Sequence, residues 1–518
     1  MINLRSIYLA AQERTRFAVA GLVVLLVAGV CGIVFFSPML TLAASFALVV
    51  VFVSFVRPTW MLFALMMYLP FEPFLLKWVQ DDVYVYAKYS SELVVYLLVA
   101  VVAWRLFSGV AVWRRSSVDV FLLIFLFLLV VTTLVNVSST SVAVLGVRQI
   151  IRFIFLYVVT VQLAPSRKWV RALFYGLVVI VALQIVLASA QGIIGERVDT
   201  FLLPSERRTL GQIQLTAGQV QFWDPGQRVF GTLGRYDQLG TFMAFVMLLM
   251  AAALYEWKQS PSTKKLWIVF LAALPILALT YSRSAWFGFV LGFLFLALWA
   301  KRDRRVWVGL ATFVLAALLY LGASGLVVRQ LVDVSGQSVT DRFFEAFSAE
   351  RWAGEYYGLG RMFWMVQTVA TVVPASPLLG HGPANYGGGA VAALHNTRTY
   401  DALGLPFGVY GTDGYIDNNW FSLWGETGTL GLAAYLAIYI TLFVTCIRVW
   451  RKSNDADVRA LAIGTACAML AVALNAFLAT YFEARTLAPY LWVFAGLVVV
   501  AERKSGNVEN VYENPSHA

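Results

Sequence analysis

Six arginines stand where arginine is expensive. Arg148 and Arg152 lie one helical turn apart in GVRQIIRF, and Arg228 and Arg235 bracket RVFGTLGRYDQLG. Arg283 sits in TYSRSAW, between two hydrophobic runs, and Arg361 opens RMFWMVQTVATVVP. A charge at the centre of a membrane span costs about 2.5–3.5 kcal/mol on insertion scales, so such residues face a cavity or a partner. The forked donors of guanidinium match phosphate oxygens, and a cluster of them at membrane level predicts a site for an anionic group presented by a lipid. The plain alternative is that they snorkel to headgroups or pair with nearby acids. For Arg283 function is the better reading, because no feature of the topology requires a charge there.

Two further stretches could carry chemistry. PLLGHGPANYGGG, residues 377–389, holds glycines that permit tight turns and close backbone approach. It lacks the GK[ST] of a nucleotide-binding loop. His381 lies within it and His395 follows in LHN; either is a candidate for catalysis, with a structural role as the alternative. In IDNNWFSLWGETGTLGLAAYL, residues 416–436, Asp417 falls where a helix should begin. It is either that helix's N-cap or a general base at the membrane surface. Glu426, nine residues on, must face a polar cavity or an arginine.

The elements that hold these residues are membrane helices. The chain of 518 residues is 60% hydrophobic and 13% charged, with a mean hydropathy of +0.76, which excludes a soluble globular domain. Apolar runs long enough to cross the bilayer recur near 17–36, 39–56, 60–76, 91–106, 118–136, 147–163, 172–192, 239–255, 266–281, 284–299, 306–326, 428–447, 460–480 and 486–501. Lipid forces each backbone group to pair within its own segment, so all are expected to be helices. Pro70, Glu72 and Pro73 make the run at 60–76 short or re-entrant. Cys31, Cys446 and Cys467 fall in apolar runs and read as packing residues, with no metal-ligand spacing.

The net charge of +11 is a topology signal rather than a nucleic-acid footprint. With the N-terminus in the cytoplasm, the clusters Arg14/Arg16, Arg114/Arg115, Arg167/Lys168/Arg171, Lys264/Lys265, Lys301/Arg302/Arg304/Arg305 and Arg448/Arg451/Lys452 all fall inside. Both termini are then cytoplasmic, and the polar tail from residue 505 is expected to be disordered. Segments 196–238 and 327–427 lie outside. The second is the only stretch long enough for an external subdomain, and its aromatic content predicts order against the membrane. Residues 1–326 thus carry eleven spans, 428–501 three more, and 502–518 form the tail. No internal repeat is evident, which disfavours inverted-repeat transporters.

Taken in order, these motifs resemble the O-antigen ligase and O-antigen polymerase (Wzy-type) superfamily of bacterial membrane proteins. The resemblance rests on Arg228, Gly231 and Thr232 before a middle span, and on Ser282 and Arg283 in a turn. It continues with Arg361, Trp364, Pro377–Gly380, Gly382 and Asn385 in the large loop, and closes with Asp417, Asn418, Glu426, Gly428 and Gly431. It covers roughly residues 220–440. The family's N-P-N after the GT stretch is replaced here by Arg235, Tyr236, Asp237 and Gln238. The histidine typical of ligases at the loop's close is replaced by Asp417.

The resemblance implies an all-α polytopic protein of about fourteen spans (twelve to fourteen), GT-C-like, with one large periplasmic-side loop, in the bacterial inner membrane. It implies a metal-independent, inverting glycosyltransferase without cofactors, acting on glycans carried by undecaprenyl diphosphate. Donor and acceptor would both be lipid-linked, with chain-length regulators or flippases as candidate partner proteins. Asp417 and Arg283 are the expected catalytic residues. Arg148, Arg152, Arg228, Arg235, Arg361, His381, Asn418 and Glu426 are expected to bind substrate. The Asp-Asn start favours a polymerase of repeat units; a ligase and a transporter are the alternatives.

Overall fold

The computed structural model describes residues 38–136, 139–204, 209–210, 213–214, 227–257, 261–324, 342–343, 349–408 and 416–513. The expected first span at 17–36, with Arg14, Arg16 and Cys31, lies outside them. In chain order the helices are α1 (Pro38–Val56), α2 (Pro58–Tyr68), α3 (Glu72–Leu76), α4 (Asp81–Phe107), α5 (Asp119–Asn136), α6 (Thr140–Ile151), α7 (Ile154–Leu163), α8 (Arg167–Ile194) and α9 (Glu196–Leu202). There follow α10 (Tyr236–Glu256), α11 (Pro261–Leu279), α12 (Arg283–Leu294), α13 (Arg304–Ser324), α14 (Ala349–Tyr357), α15 (Arg361–Gln367), α16 (Gly388–Leu394) and α17 (Arg398–Leu403). The last three are α18 (Asn419–Lys452), α19 (Ala456–Asn475) and α20 (Ala488–Glu513). Thr209–Leu210 pairs antiparallel with Ile213–Gln214, the only strand ladder among the described residues.

Eight of these helices are long and apolar enough to cross a membrane, or nine if the bent pair α6–α7 is one span. The runs near 39–56, 60–76, 306–326 and 486–501 carry helices as well, over Pro38–Val56, Pro58–Tyr68 with Glu72–Leu76, Arg304–Ser324 and Ala488–Glu513. The chain is therefore a polytopic helical membrane protein. The run at 60–76 is broken as its prolines predict, and two other local expectations change. The run at 147–163 is two helices meeting at 51°, with Arg152 at the joint. The run at 60–76 breaks between Tyr68 and Glu72, where Pro70 and Pro73 interrupt the backbone hydrogen bonds. The tail expected to be disordered from residue 505 is helical as far as Glu513.

The chain forms two compact units. The smaller, residues 1–65 and 79–112, contains the packing of α1 on α4. Within it Glu92 is buried and accepts a hydrogen bond from the Tyr96 hydroxyl one turn away, at 2.9 Å. The larger unit, residues 66–78 and 113–518, is built around α10, whose residues from Leu239 to Ala253 are all buried. α10 packs chiefly on α19 and α12. Small residues allow that approach, as expected where lipid supplies no hydrophobic drive between helices. A side chain at Gly240 would meet Ala285, one at Gly292 would meet the Cys467 carbonyl and Leu248, and one at Gly464 would meet Ala252 and Leu249. Cys446 and Cys467 are buried free thiols in this packing.

The described part of the large loop has its own aromatic core. Trp364, Val372, Tyr386, Val391, Tyr400 and Ile416 are buried together, with Phe363, Leu403, Leu405 and Phe407 packed against them. The Tyr386 hydroxyl lies 2.6 Å from the Thr368 hydroxyl. The Tyr400 hydroxyl donates to the Tyr386 carbonyl.

Candidate functional site

α18 carries the loop-closing motif, and it is broken at Gly428, whose φ of 68° and ψ of −175° leave the helix. The break frees backbone groups that lipid cannot satisfy. The PLLGHG loop satisfies them reciprocally. Thr429 N–H donates to the Pro377 carbonyl at 2.9 Å, while His381 N–H and Gly382 N–H donate to the Gly425 and Glu426 carbonyls at 2.9 and 2.8 Å. Gly380 also has a left-handed φ of 69°, and a Cβ there would lie 2.4 Å from the Gly428 nitrogen. Thr132 and Asn136, at the end of α5, hold the Leu379 and Gly380 carbonyls. The glycines thus serve the docking of loop onto broken helix.

Glu426 lies at the centre of that docking and is fully buried. Its Oε1 accepts Ala384 N–H and Gly387 N–H, both at 3.1 Å. The next N–H groups of the same turn also go to side chains. Gly389 donates to Glu483 Oε2 at 3.0 Å, and Ala390 donates to Gln149 Oε1. The glycine run is therefore a nest of N–H groups, but its own protein's side chains fill it, so it does not present a phosphate loop. His381 belongs to the same structure: its Nε2 lies 3.0 Å from the Val372 carbonyl. His395 ends α16 in a left-handed conformation, against Phe407.

Arg152 stands beside this knot. Its Nη2 donates to the Glu483 carbonyl at 2.7 Å, and its guanidinium lies 4.6 Å from the Phe153 ring centre. Arg148 is one turn earlier, in the last turn of α6.

A second group gathers around Asp417. Arg361 donates from Nε and Nη2 to Asp417 Oδ2, at 3.1 and 2.6 Å. The two side chains are 28% and 24% exposed, so the pair is open to solvent on one side. Asp417 is not the cap of α18. That role falls to Asn418, whose side chain accepts Phe421 N–H at 3.1 Å and donates to the Phe477 carbonyl at 2.9 Å. Asn418 is fully buried, and both ends of its amide are engaged within the chain.

Ser282 caps α12, leaving Arg283 as the helix's first residue and Ser284 as its second. The Ser284 hydroxyl is 3.1 Å from the Tyr481 hydroxyl. Burial pushes the Tyr481 phenol well above its ordinary value, and the charges of Asp237 and Asp417 push the same way, while Arg235 pulls it down. Through Ser284, Tyr481 ties the SR turn to the segment between α19 and α20. Arg235 pairs with Asp237 at 3.0 Å and is 44% exposed. The Arg228 guanidinium lies 5.0 Å from the Tyr236 ring centre, and Val229 N–H ties this segment to the Leu279 carbonyl at 3.2 Å. Of the predicted arginines, Arg148 and Arg152 lie by the buried knot, Arg361 pairs with Asp417, Arg235 with Asp237, Arg228 lies by Tyr236, and Arg283 opens α12.

Sequence reasoning missed four glutamine, tyrosine and glutamate positions that build these groups. Gln184 and Gln191, buried on α8, hold the GT stretch. Gln191 accepts Phe230 N–H and Gly231 N–H at 3.1 and 2.7 Å, and Gln184 accepts Thr232 N–H at 3.0 Å. Two glutamines seven apart in an apolar span were the signal, since buried amides must find partners. The turn YFEAR, residues 481–485, falls between the apolar runs at 460–480 and 486–501 and carries no motif. Each of its long side chains takes a different direction. Tyr481 meets Ser284, Phe482 packs against Trp420, Glu483 enters the knot, and Arg485 pairs with the buried Glu72 at 3.1 Å.

No curated protein matches the chain significantly. The region from within α11 to within α18 contains the SR turn, Arg361, the glycine loop, Asp417 and Glu426. Over residues 267–436 the chain is similar to the family whose model is described as O-antigen ligase.

Proposed function

We propose that this protein polymerises a surface polysaccharide, O-antigen or exopolysaccharide, by moving a glycan from undecaprenyl diphosphate to a lipid-linked repeat unit. The observation that carries the reading is the partly open Arg361–Asp417 pair at the start of α18. A guanidinium offers five N–H donors, and Asp417 takes two of them. A donor diphosphate would compete for Arg361 and join Arg283, and the carboxylate released would face the acceptor sugar. In this reading the acceptor hydroxyl oxygen attacks the anomeric carbon opposite the bond to diphosphate. That bond breaks, the configuration inverts, undecaprenyl diphosphate leaves with the electron pair, and Asp417 takes the hydroxyl proton. Arg283 and Arg361 stabilise the charge growing on the leaving group. Arg228 and Arg235 hold the donor or the acceptor carrier. The site would face the periplasm at the inner membrane, and both termini the cytoplasm.

The Asp-Asn start at Asp417 and Asn418 favours polymerase over ligase. The test is a gel profile of surface polysaccharide from a deletion strain carrying wild type or Asp417→Ala. A polymerase variant yields single repeat units at normal protein levels. Accumulation of long carrier-linked chains would instead mark a ligase, and an unchanged ladder would remove Asp417 from the site.

A further inference from the structure

The buried knot contains two carboxyls that the transfer reaction above does not use, Glu426 and Glu483, and the second ties several elements together. Glu483 lies in the YFEAR turn between α19 and α20, outside both helices. Its Oε2 accepts Gly389 N–H at 3.0 Å, and its Oε1 accepts from Asn419 Nδ2 at 3.2 Å. Asn419 is the first residue of α18, two beyond Asp417, and its own Oδ1 accepts Phe482 N–H at 2.7 Å. Gln149 also hydrogen-bonds to the Glu483 carboxyl, and Arg152 binds the Glu483 main-chain carbonyl at 2.7 Å. One residue thus joins the glycine turn and the start of α18 through its side chain, and the joint of α6 with α7 through its main-chain carbonyl. It borders a cavity of ≈ 30 Å³ with Gln149, Asn419, Ser422, Glu426 and Tyr435.

We propose that Glu483 is a positioning residue for the transfer reaction, its carboxylate holding the segment that carries Asp417 in register with the glycine turn and with Gln149 of α6. The inference rests on the site proposed above. A carboxylate can accept from Gly389, Asn419 and Gln149 together, whereas a protonated carboxyl gives up part of that acceptor capacity. The charged and titratable groups around it are Arg152 at the α6–α7 joint, Glu426 on α18, and Tyr435 on α18. Burial raises the Glu483 carboxyl to about 7, against the pull of Gly389 N–H and the Arg152 charge. Its ionisation therefore falls near neutral pH, and loss of register on protonation places an acid limb there in the activity profile.

The experiment uses the full-length protein in membranes, with carrier-linked single repeat units from the deletion strain as substrate, and records rate against pH. The isosteric E483Q is expected to lose about tenfold to a hundredfold in rate, the scale of loss from a misplacement of roughly 1 Å, and to lose the limb near pH 7. E483D, which keeps an ionisable group, is expected to keep a limb. Thermal melting and membrane level of E483Q, near wild type, separate misplacement from misfolding. An E483Q enzyme whose acid limb stays near pH 7, at whatever rate, overturns the proposal, as does a wild type with no limb there. R283A, run in parallel, separates the two readings. Full activity in R283A removes the site itself, whereas an inactive R283A beside an E483Q of unaltered profile removes only the role of Glu483.

Discussion

Two acid-bearing regions of the same unit have opposite designs. Around Glu426 and Glu483 the carboxylates accept several backbone and amide N–H groups, and Glu426 is fully buried. Around Asp417 and Arg361 a single carboxylate oxygen takes two guanidinium donors at a partly open surface. The difference follows from solvation. A buried carboxylate must be fully hydrogen-bonded or carry a large cost, so its partners become fixed parts of the fold. A partly exposed ion pair is worth less net energy, because water and other ions compete for each partner. The second arrangement, and not the first, is therefore the one that the proposed donor diphosphate would displace. Commitment to backbone groups marks an acid as structural, and an exchangeable partner marks it as a candidate for chemistry.

The comparison can be broken at either region. The largest effect is expected from Arg283→Ala, which should cut polymer formation by on the order of a hundredfold to a thousandfold, the range for removal of one preorganised donor. Membrane level should hold, and a normal ladder from this variant would sink the diphosphate assignment. Asp417→Asn keeps the size and one acceptor for Arg361 but cannot take a proton. Its rate should fall by about a hundredfold, within the usual contribution of a general base. Substrate affinity measured beside the rate would expose a purely structural loss.

In the buried region the expected readout is folding. Gly428→Ala puts a Cβ 2.3 Å from the Leu378 carbonyl oxygen at a left-handed φ. It should cost about 2 kcal/mol or more, visible as a lower melting temperature and a reduced membrane level. Unchanged melting would mean that loop and broken helix are less tightly docked than these distances imply. The smallest effect belongs to Arg235→Ala, whose exposed pair with Asp237 should be worth under about 1 kcal/mol. Melting should be unaffected and the ladder altered at most a few-fold. A complete loss of polymer would promote Arg235 to a donor-binding role equal to that of Arg283.

Much of this molecule was decided by local sequence. Apolar runs fixed the helices, because no other backbone arrangement satisfies itself in lipid. Ser282 before Arg283 determined the cap of α12. The order of Arg361, the glycine loop and Asp417 was enough to mark the family resemblance. What local sequence left open was decided by partners far along the chain. Asp417 could be cap or base from its position alone; tertiary packing gave the cap to Asn418 and set Asp417 on Arg361, 56 residues away. The glycine run could cradle a phosphate until Glu426, Glu483 and Gln149 filled it. Glu483 carried no motif at all. A buried polar group takes its meaning from the groups that desolvate and satisfy it, and in a many-helix membrane protein those groups come from other spans.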